Sequence, residues 1–84
     1  FCLAGVGGRV EPILATTEAA QAILMIDGCQ GACGAACLRQ AGITRFTHLR
    51  VTDFGYEKGH CPVNPATISA MAAQAAAVWR ASPA

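Results

Sequence analysis

Residues 22–26, Ala-Ile-Leu-Met-Ile, are apolar without a break, and the run stops at Asp27-Gly28. An unbroken apolar run this short, closed by a turn signal, is the pattern of a parallel strand covered on both faces. Such a strand needs neighbours, and the rest of the chain offers them. Residues 1–4 form a first apolar run, ended by Gly5-Val6-Gly7-Gly8. Residues 46–52 form a third, in which Leu49 and Val51 face one way and His48 and Arg50 the other. That alternation marks a half-exposed or edge strand, ending at Asp53-Phe54-Gly55.

Helical patterns fill the gaps. A short helix is expected after Gly8, with Pro12 in its first turn and its end near Thr16 and Thr17. Residues 30–41 read as a helix closed by Gly42. Gly31 and Gly34 weaken it, and are expected where a backbone approaches a strand or a site. Asn64 caps the last helix and Pro65 takes its first position. Ile68, Met71, Ala75, Val78 and Trp79 form one apolar stripe along it. Strand alternating with helix predicts an α/β fold: a small three-layer parallel sheet of about three strands with crossover helices, Rossmann- or flavodoxin-like.

The chain has 84 residues, enough for one domain over residues 1–84. Per-residue scaling gives it a stability of roughly 4–13 kcal/mol. Apolar residues are 54% and charged residues 13%, which excludes disorder. Net charge is +1 and the basic residues are scattered, with one Trp and one Tyr to stack on bases, so nucleic acid is not an expected partner. No apolar stretch approaches the ~20 residues that cross a bilayer, so no membrane partner is expected either. The chain opens on Phe1 rather than Met and carries no visible signal peptide, which leads us to expect a fragment.

Five cysteines, Cys2, Cys29, Cys33, Cys37 and Cys61, are an odd count in an alanine-rich helical chain. This is no secreted disulfide scaffold, and a reducing, cytoplasmic setting is expected. Right-handed crossovers gather strand C-termini on one sheet edge, where α/β proteins build their sites. Cys2 lies by the end of the first run, Cys29 follows the second, and His60-Cys61 the third. Cys29, Cys33 and Cys37 recur every fourth residue, which on one helix face separates neighbouring Cβ atoms by roughly 5–6 Å. A disulfide needs Cβ atoms about 3.5–4.5 Å apart. A tetrahedral zinc, with Zn–S near 2.3 Å, sets its sulfurs roughly 3.8 Å apart, within reach of two such side chains. Thiolate-rich ligation suits zinc, with an iron–sulfur cluster less favoured. Small buried cysteines are the bland reading, strongest for Cys37.

Cys2-Leu3-Ala4-Gly5-Val6-Gly7, Ile26-Asp27-Gly28-Cys29 with Cys33 four later, and Thr52-Asp53-x-Gly55-x-x-Lys58 together resemble the DGC-domain family. The resemblance runs in order over nearly the whole chain. It implies zinc held through cysteines, in a family whose biochemical role is largely uncharacterised. The ligand set expected is Cys2, Cys29 and Cys33, with Cys61 as a hypothetical fourth; His60 beside it is its substitute, although a solvated loop residue is the ordinary reading of it. Family members carry an earlier strand and a cysteine-bearing loop upstream of Cys2, so that strand and loop are expected to be missing here. Cys37 and Cys61 fall outside the family's core motif.

Asp27 is expected to cap the following helix, or else to orient a metal ligand. His48 is expected at the surface and away from the cysteines. Gly5, Gly7 and Gly8 form a weak phosphate-cradle signal, lacking the full dinucleotide pattern. Asp53 and Lys58 read as a turn cap and a solvated charge. The competing function is thiol redox or metal-assisted catalysis through Cys29 at a helix start, although no Cys-x-x-Cys is present. No residue set assigns an enzymatic reaction. A protein partner is unspecified, and a homodimer is one source of further thiolates.

Overall fold

A computed structural model describes residues 2–81. The elements run α1 (Leu3–Gly7), α2 (Glu11–Ala19), β1 (Leu24–Asp27), α3 (Cys33–Gln40), β2 (Thr47–Arg50), a 3-10 turn (Val51–Phe54) and α4 (Pro65–Ala81). The fold is a small α/β unit on a two-stranded parallel sheet. Leu24 pairs with Thr47, Met25 with His48, Ile26 with Leu49 and Asp27 with Arg50. The three-layer, three-stranded sheet expected from the sequence is not what the described residues form.

The difference lies in the first apolar run, of which Phe1 is outside the described residues. Leu3–Gly7 is a turn of helix, opened by Val6 N–H donating to Cys2 carbonyl (3.1 Å). The small residues explain the preference. A side chain on Gly5 would collide with Ile13 of α2, so glycine lets the two helices meet. Val6 then reaches Leu38 and Ile43, and these three form one buried cluster, flanked by Ile13, Leu14, Ile23, Met25, Ala41 and Phe46; Ala35 and Leu49 are the other buried apolar residues. Ile23 and Met25 of the central run pack on that core, whereas Ile26 is 46% exposed, so the run is not covered on both faces along its whole length. The third run is likewise shorter than expected, because Val51 and Thr52 leave the strand for the 3-10 turn.

Local signals decide the helix ends. Pro12 sits in the first turn of α2, which continues past Thr16 and Thr17 to Ala19. Gly42 adopts φ +82°, its N–H donates to Arg39 carbonyl (3.0 Å), and Ile43 N–H donates to Leu38 carbonyl (2.9 Å). That is a Schellman closure of α3, and its accompanying apolar contact is the Leu38–Ile43 pair of the core. Asn64 caps α4: Thr67 N–H donates to Asn64 Oδ1 (2.9 Å), and Asn64 N–H donates back to Thr67 Oγ1 (3.3 Å). The expected apolar stripe is only partly used. Met71, Ala75 and Val78 are half-buried, while Ile68 and Trp79 are exposed, and no described residue of α4 is fully buried.

The end of α2 is closed from a distance. Arg45 donates to the carbonyls of Gln21 (2.8 Å), Ala20 (2.6 Å) and Glu18 (3.4 Å). A cation at a helix C-terminus meets the macrodipole as well as the unpaired carbonyls. Arg45→Ala is expected to destabilise by about 1–2 kcal/mol, and Arg45→Lys to recover less than half of that, because an ammonium lacks the planar fork. Denaturant midpoints of the two variants check this; equal midpoints would reject the fork.

The radius of gyration is 13.7 Å, against about 12 Å for a compact chain of this length. No helix among the described residues is long and apolar enough to cross a membrane.

Candidate metal centre

Two chain segments meet at the C-terminal end of the two strands. Asp27 ends β1 and is 7% exposed. Its Oδ1 accepts the Gly34 N–H (2.7 Å) and its Oδ2 the Ala35 N–H (3.1 Å), both in the first turn of α3. The expected capping role holds, although Asp27 stands seven residues ahead of Gly34 rather than beside it. Its Oδ2 also lies 2.7 Å from His48 Nε2. An ionised carboxylate only accepts, so Nε2 carries the proton in this pair. His48 is therefore no plain surface residue, as expected from its strand pattern, but the partner that completes Asp27. Burial pushes the Asp27 carboxyl upward, yet the Gly34 amide, the His48 imidazole and the Ala35 amide outweigh it, and its pKa lies below an ordinary aspartate's.

Asp27 can reach Gly34 only because α3 starts late. The helix begins at Cys33, not near Cys29, and Ala32 before it is left-handed (φ 48°, ψ 45°). Ala32 N–H donates to Cys29 carbonyl (3.2 Å), closing a turn over residues 29–32. A non-glycine residue in this conformation costs roughly 1–2 kcal/mol, offset in an Ala→Gly exchange by about 0.5–1 kcal/mol of unfolded-chain entropy. Ala32→Gly is thus expected to stabilise slightly, by about 0.5 kcal/mol, and a lowered melting midpoint would contradict the left-handed assignment.

The turn rearranges the cysteines. Cys29 is off the helix, so it does not share a face with Cys33 and Cys37. Both Cys29 and Cys33 nevertheless flank Gly31: a methyl group there would sit 3.6 Å from Cys29 Sγ and 3.8 Å from Cys33 Sγ. Cys37 turns away and packs by Gly7, where a methyl group would lie 3.7 Å from its sulfur, which fits the packing role expected of it. Cys2 stands at the N-cap position of α1, makes no capping bond through its side chain, and is exposed. Cys61 lies in the irregular segment before α4, with its sulfur 3.8 Å from Pro62 carbonyl. All five thiols are free. Among the described residues no three His, Cys, Asp or Glu side chains are grouped to hold a metal ion. The structure thus brings together two of the four expected ligands, Cys29 and Cys33, and does not bring Cys2, Cys61 or His60 to them.

The loops around the pair are tied to each other. Gln30, between the two thiols, donates through Nε2 to Thr52 Oγ1 (3.0 Å) and Asp53 Oδ1 (3.1 Å). Arg50 Nε donates to Asp53 Oδ2 (3.1 Å). The Gln30 bond chiefly, with Arg50, holds the exposed Asp53 carboxyl below its ordinary pKa against some desolvation. Asp53 is a cross-link between the β1–α3 and β2 loops rather than a simple turn cap.

The description "DGC domain" is that of a family matching residues 1–75. The Anaerobic and virulence modulator AnvM of Pseudomonas aeruginosa strain PAO1 is 33% identical over 57 residues, which are 68% of this chain and 44% of that protein. The chain thus spans less than half the length of that relative. No solved structure matches. With the Asp27-Gly28-Cys29 turn and most of its length inside the match, the chain belongs to the DGC domain family.

Proposed function

We propose that this chain is a zinc-binding module in which Cys29 and Cys33 supply two thiolates; Cys2 and Cys61, which the fold leaves apart from that pair, would complete the set only by moving to the metal. The observation that carries the reading is the pair of sulfurs flanking Gly31, 3.6 and 3.8 Å from one point. Two soft donors close to one point suit a thiophilic ion such as zinc. Zinc bound there would act as a cross-link between the β1–α3 turn and the first turn of α3. Asp27 and His48 hold that turn of α3 in place, and Gln30 holds the loop that bears Cys29.

Elemental analysis of protein purified reduced and zinc-replete is expected to find about one zinc per chain. Cys29→Ser/Cys33→Ser should remove it, and Cys37→Ser should not. A folded, zinc-free parent protein would sink the metal reading.

The same geometry supports a second reading, a Cys29–Cys33 dithiol. Because Cys29 is off the helix, the helical Cβ separation that disfavours a disulfide does not apply to this pair. Mass spectrometry after mild oxidation of zinc-free protein would show a Cys29–Cys33 link if this reading holds. An iron–sulfur centre would instead declare itself by colour.

A further inference from the structure

Residues 55–63 join the 3-10 turn to α4 and carry Cys61. The chain is fixed on either side of them. Asp53, two residues before Gly55, accepts from Gln30 of the Cys29 turn (3.1 Å) and from Arg50 (3.1 Å). Asn64, just after Val63, caps α4 through its bonds with Thr67. Between these anchors the segment bonds almost wholly to itself, among the described residues. His60 N–H donates to Glu57 carbonyl (2.9 Å), and Cys61 Sγ reaches only the carbonyl of its neighbour Pro62 (3.8 Å). One bond ties it to α4, from Thr67 Oγ1 to Pro62 carbonyl (2.7 Å). Gly55 and Gly59 adopt φ +88° and +84°, and a methyl group on either would meet nothing within 4 Å. A segment with two glycine pivots and one bond to the body of the fold opens locally at low cost.

We propose that residues 55–63 are a lid that closes on Cys29 and Cys33 when metal binds there, bringing Cys61 to the metal as a third thiolate. The inference rests on the zinc reading above and adds the part that moves. Both anchors stand at the end of the sheet that carries the pair. The Gln30–Asp53 bond holds the first against the turn that bears Cys29. For the second, Trp79 near the end of α4 lines a cavity with Ala22, Ile23 and Leu24 at the head of β1. The helix therefore runs back along the sheet, away from the end marked by Asp27, and its capped first turn stays at that end. The chain is long enough for the movement. Seven residues from Phe54 to Cys61 reach about 23–25 Å when extended, and three from Asn64 reach about 10 Å. Closure also gives up little. Thr67 Oγ1 has Asn64 Oδ1 (2.7 Å) and Asn64 carbonyl (3.3 Å) as other acceptors, so releasing Pro62 leaves that hydroxyl bonded. Against the loss stands a thiolate–zinc bond, which the Cys61 thiol forms by giving its proton to solvent.

Lys58 is exposed within this segment and is the chain's sole lysine, so a lysine-specific protease makes a single cut that reports the lid. The reduced, metal-free chain is expected to be cut there readily. Loaded with zinc, and with its zinc content measured on the same sample, it should be cut roughly tenfold more slowly or less, the suppression of a local opening by a ligand at ten times its Kd. A free lysine peptide in the same tube corrects for any action of zinc on the protease. Cys61→Ser separates the lid from general stabilisation. With zinc in excess, Cys29 and Cys33 should still hold metal in this variant, while Lys58 is cut within about twofold of the metal-free rate. A Cys61→Ser protein that keeps its circular dichroism and loses its zinc would equally show Cys61 reaching the metal. Protection of Cys61→Ser as full as the parent's would overturn the proposal, because closure would owe nothing to Cys61. A zinc-loaded parent cut as fast as the metal-free chain would remove the lid and leave the zinc reading standing. A folded parent that takes up no zinc removes both, and the measured zinc content tells these two failures apart.

Discussion

Asp27→Ala is expected to destabilise the protein by roughly 3–5 kcal/mol, the range for removing one partner of a buried pair. Three donors lose their acceptor at once: Gly34 N–H, Ala35 N–H and His48 Nε2. Two of them belong to the first turn of α3, which has no side-chain cap of its own. Against a total of roughly 4–13 kcal/mol, the variant sits near the edge of folding. Asp27→Asn keeps the shape and one acceptor oxygen, so about half the loss is expected from it. The pH dependence separates charge from shape. The folded pKa of Asp27 is depressed. Such a group adds stability at all pH values above its unfolded pKa, about 3.9, and loses it as pH falls through the folded value. Parent stability should therefore decline below about pH 4, and Asp27→Asn should decline less. Urea titrations between pH 2.5 and 7 measure both; parallel curves would mean that another carboxylate governs the acid limb.

How much of this was legible in the chain follows from how local each signal is. Asn64-Pro65, Pro12 and Gly42 act within a few residues of themselves, and each stands where the sequence puts it. A strand in this region and the α/β class follow from an apolar run and its neighbours, although β1 spans Leu24–Asp27 rather than residues 22–26. Residues 1–4 fail because a run of four cannot separate strand from helix. What decides there is the fit of Gly5 against Ile13, a contact between elements. The late start of α3 was hidden by Ala32, since alanine is the strongest helix former and gives no hint of a left-handed turn. Gly31 and a distant aspartate were the available clues. His48 was missed for a related reason. Its own strand pattern puts it outward, and only the register pairing Met25 with His48 and Asp27 with Arg50 sets it one pleat from Asp27. Of the expected ligands, the turn brings Cys29 and Cys33 together; the positions of Cys2 and Cys61 relative to that pair depend on packing that no spacing encodes.

Gly34→Ala tests whether α3 is pressed against β1 as tightly as the site requires. By helix propensity alone alanine should stabilise, by about 1 kcal/mol. The added methyl group, however, would collide with Met25 Cε and stand 2.8 Å from both Met25 Sδ and Asp27 Oδ1. Overpacking of this kind costs about 1–3 kcal/mol, and displacing the Gly34–Asp27 bond weakens a charge-assisted contact worth about 1.5–3 kcal/mol. The clash therefore wins, and a net loss of roughly 2–4 kcal/mol is expected. The methionine half of the clash is soft, because the tip of Met25 can turn away, while Asp27 is pinned by Ala35 and His48. Met25→Ala combined with Gly34→Ala should then show a coupling of only about 1 kcal/mol, with the rest of the loss remaining. Cys33 immediately precedes Gly34, so the same displacement moves one sulfur of the pair. On the proposed reading, zinc per chain falls with stability in Gly34→Ala and returns less than stability does in the double variant. A Gly34→Ala protein as stable as its parent would mean that the helix has room to shift, and that Asp27 does not fix the position of Cys33.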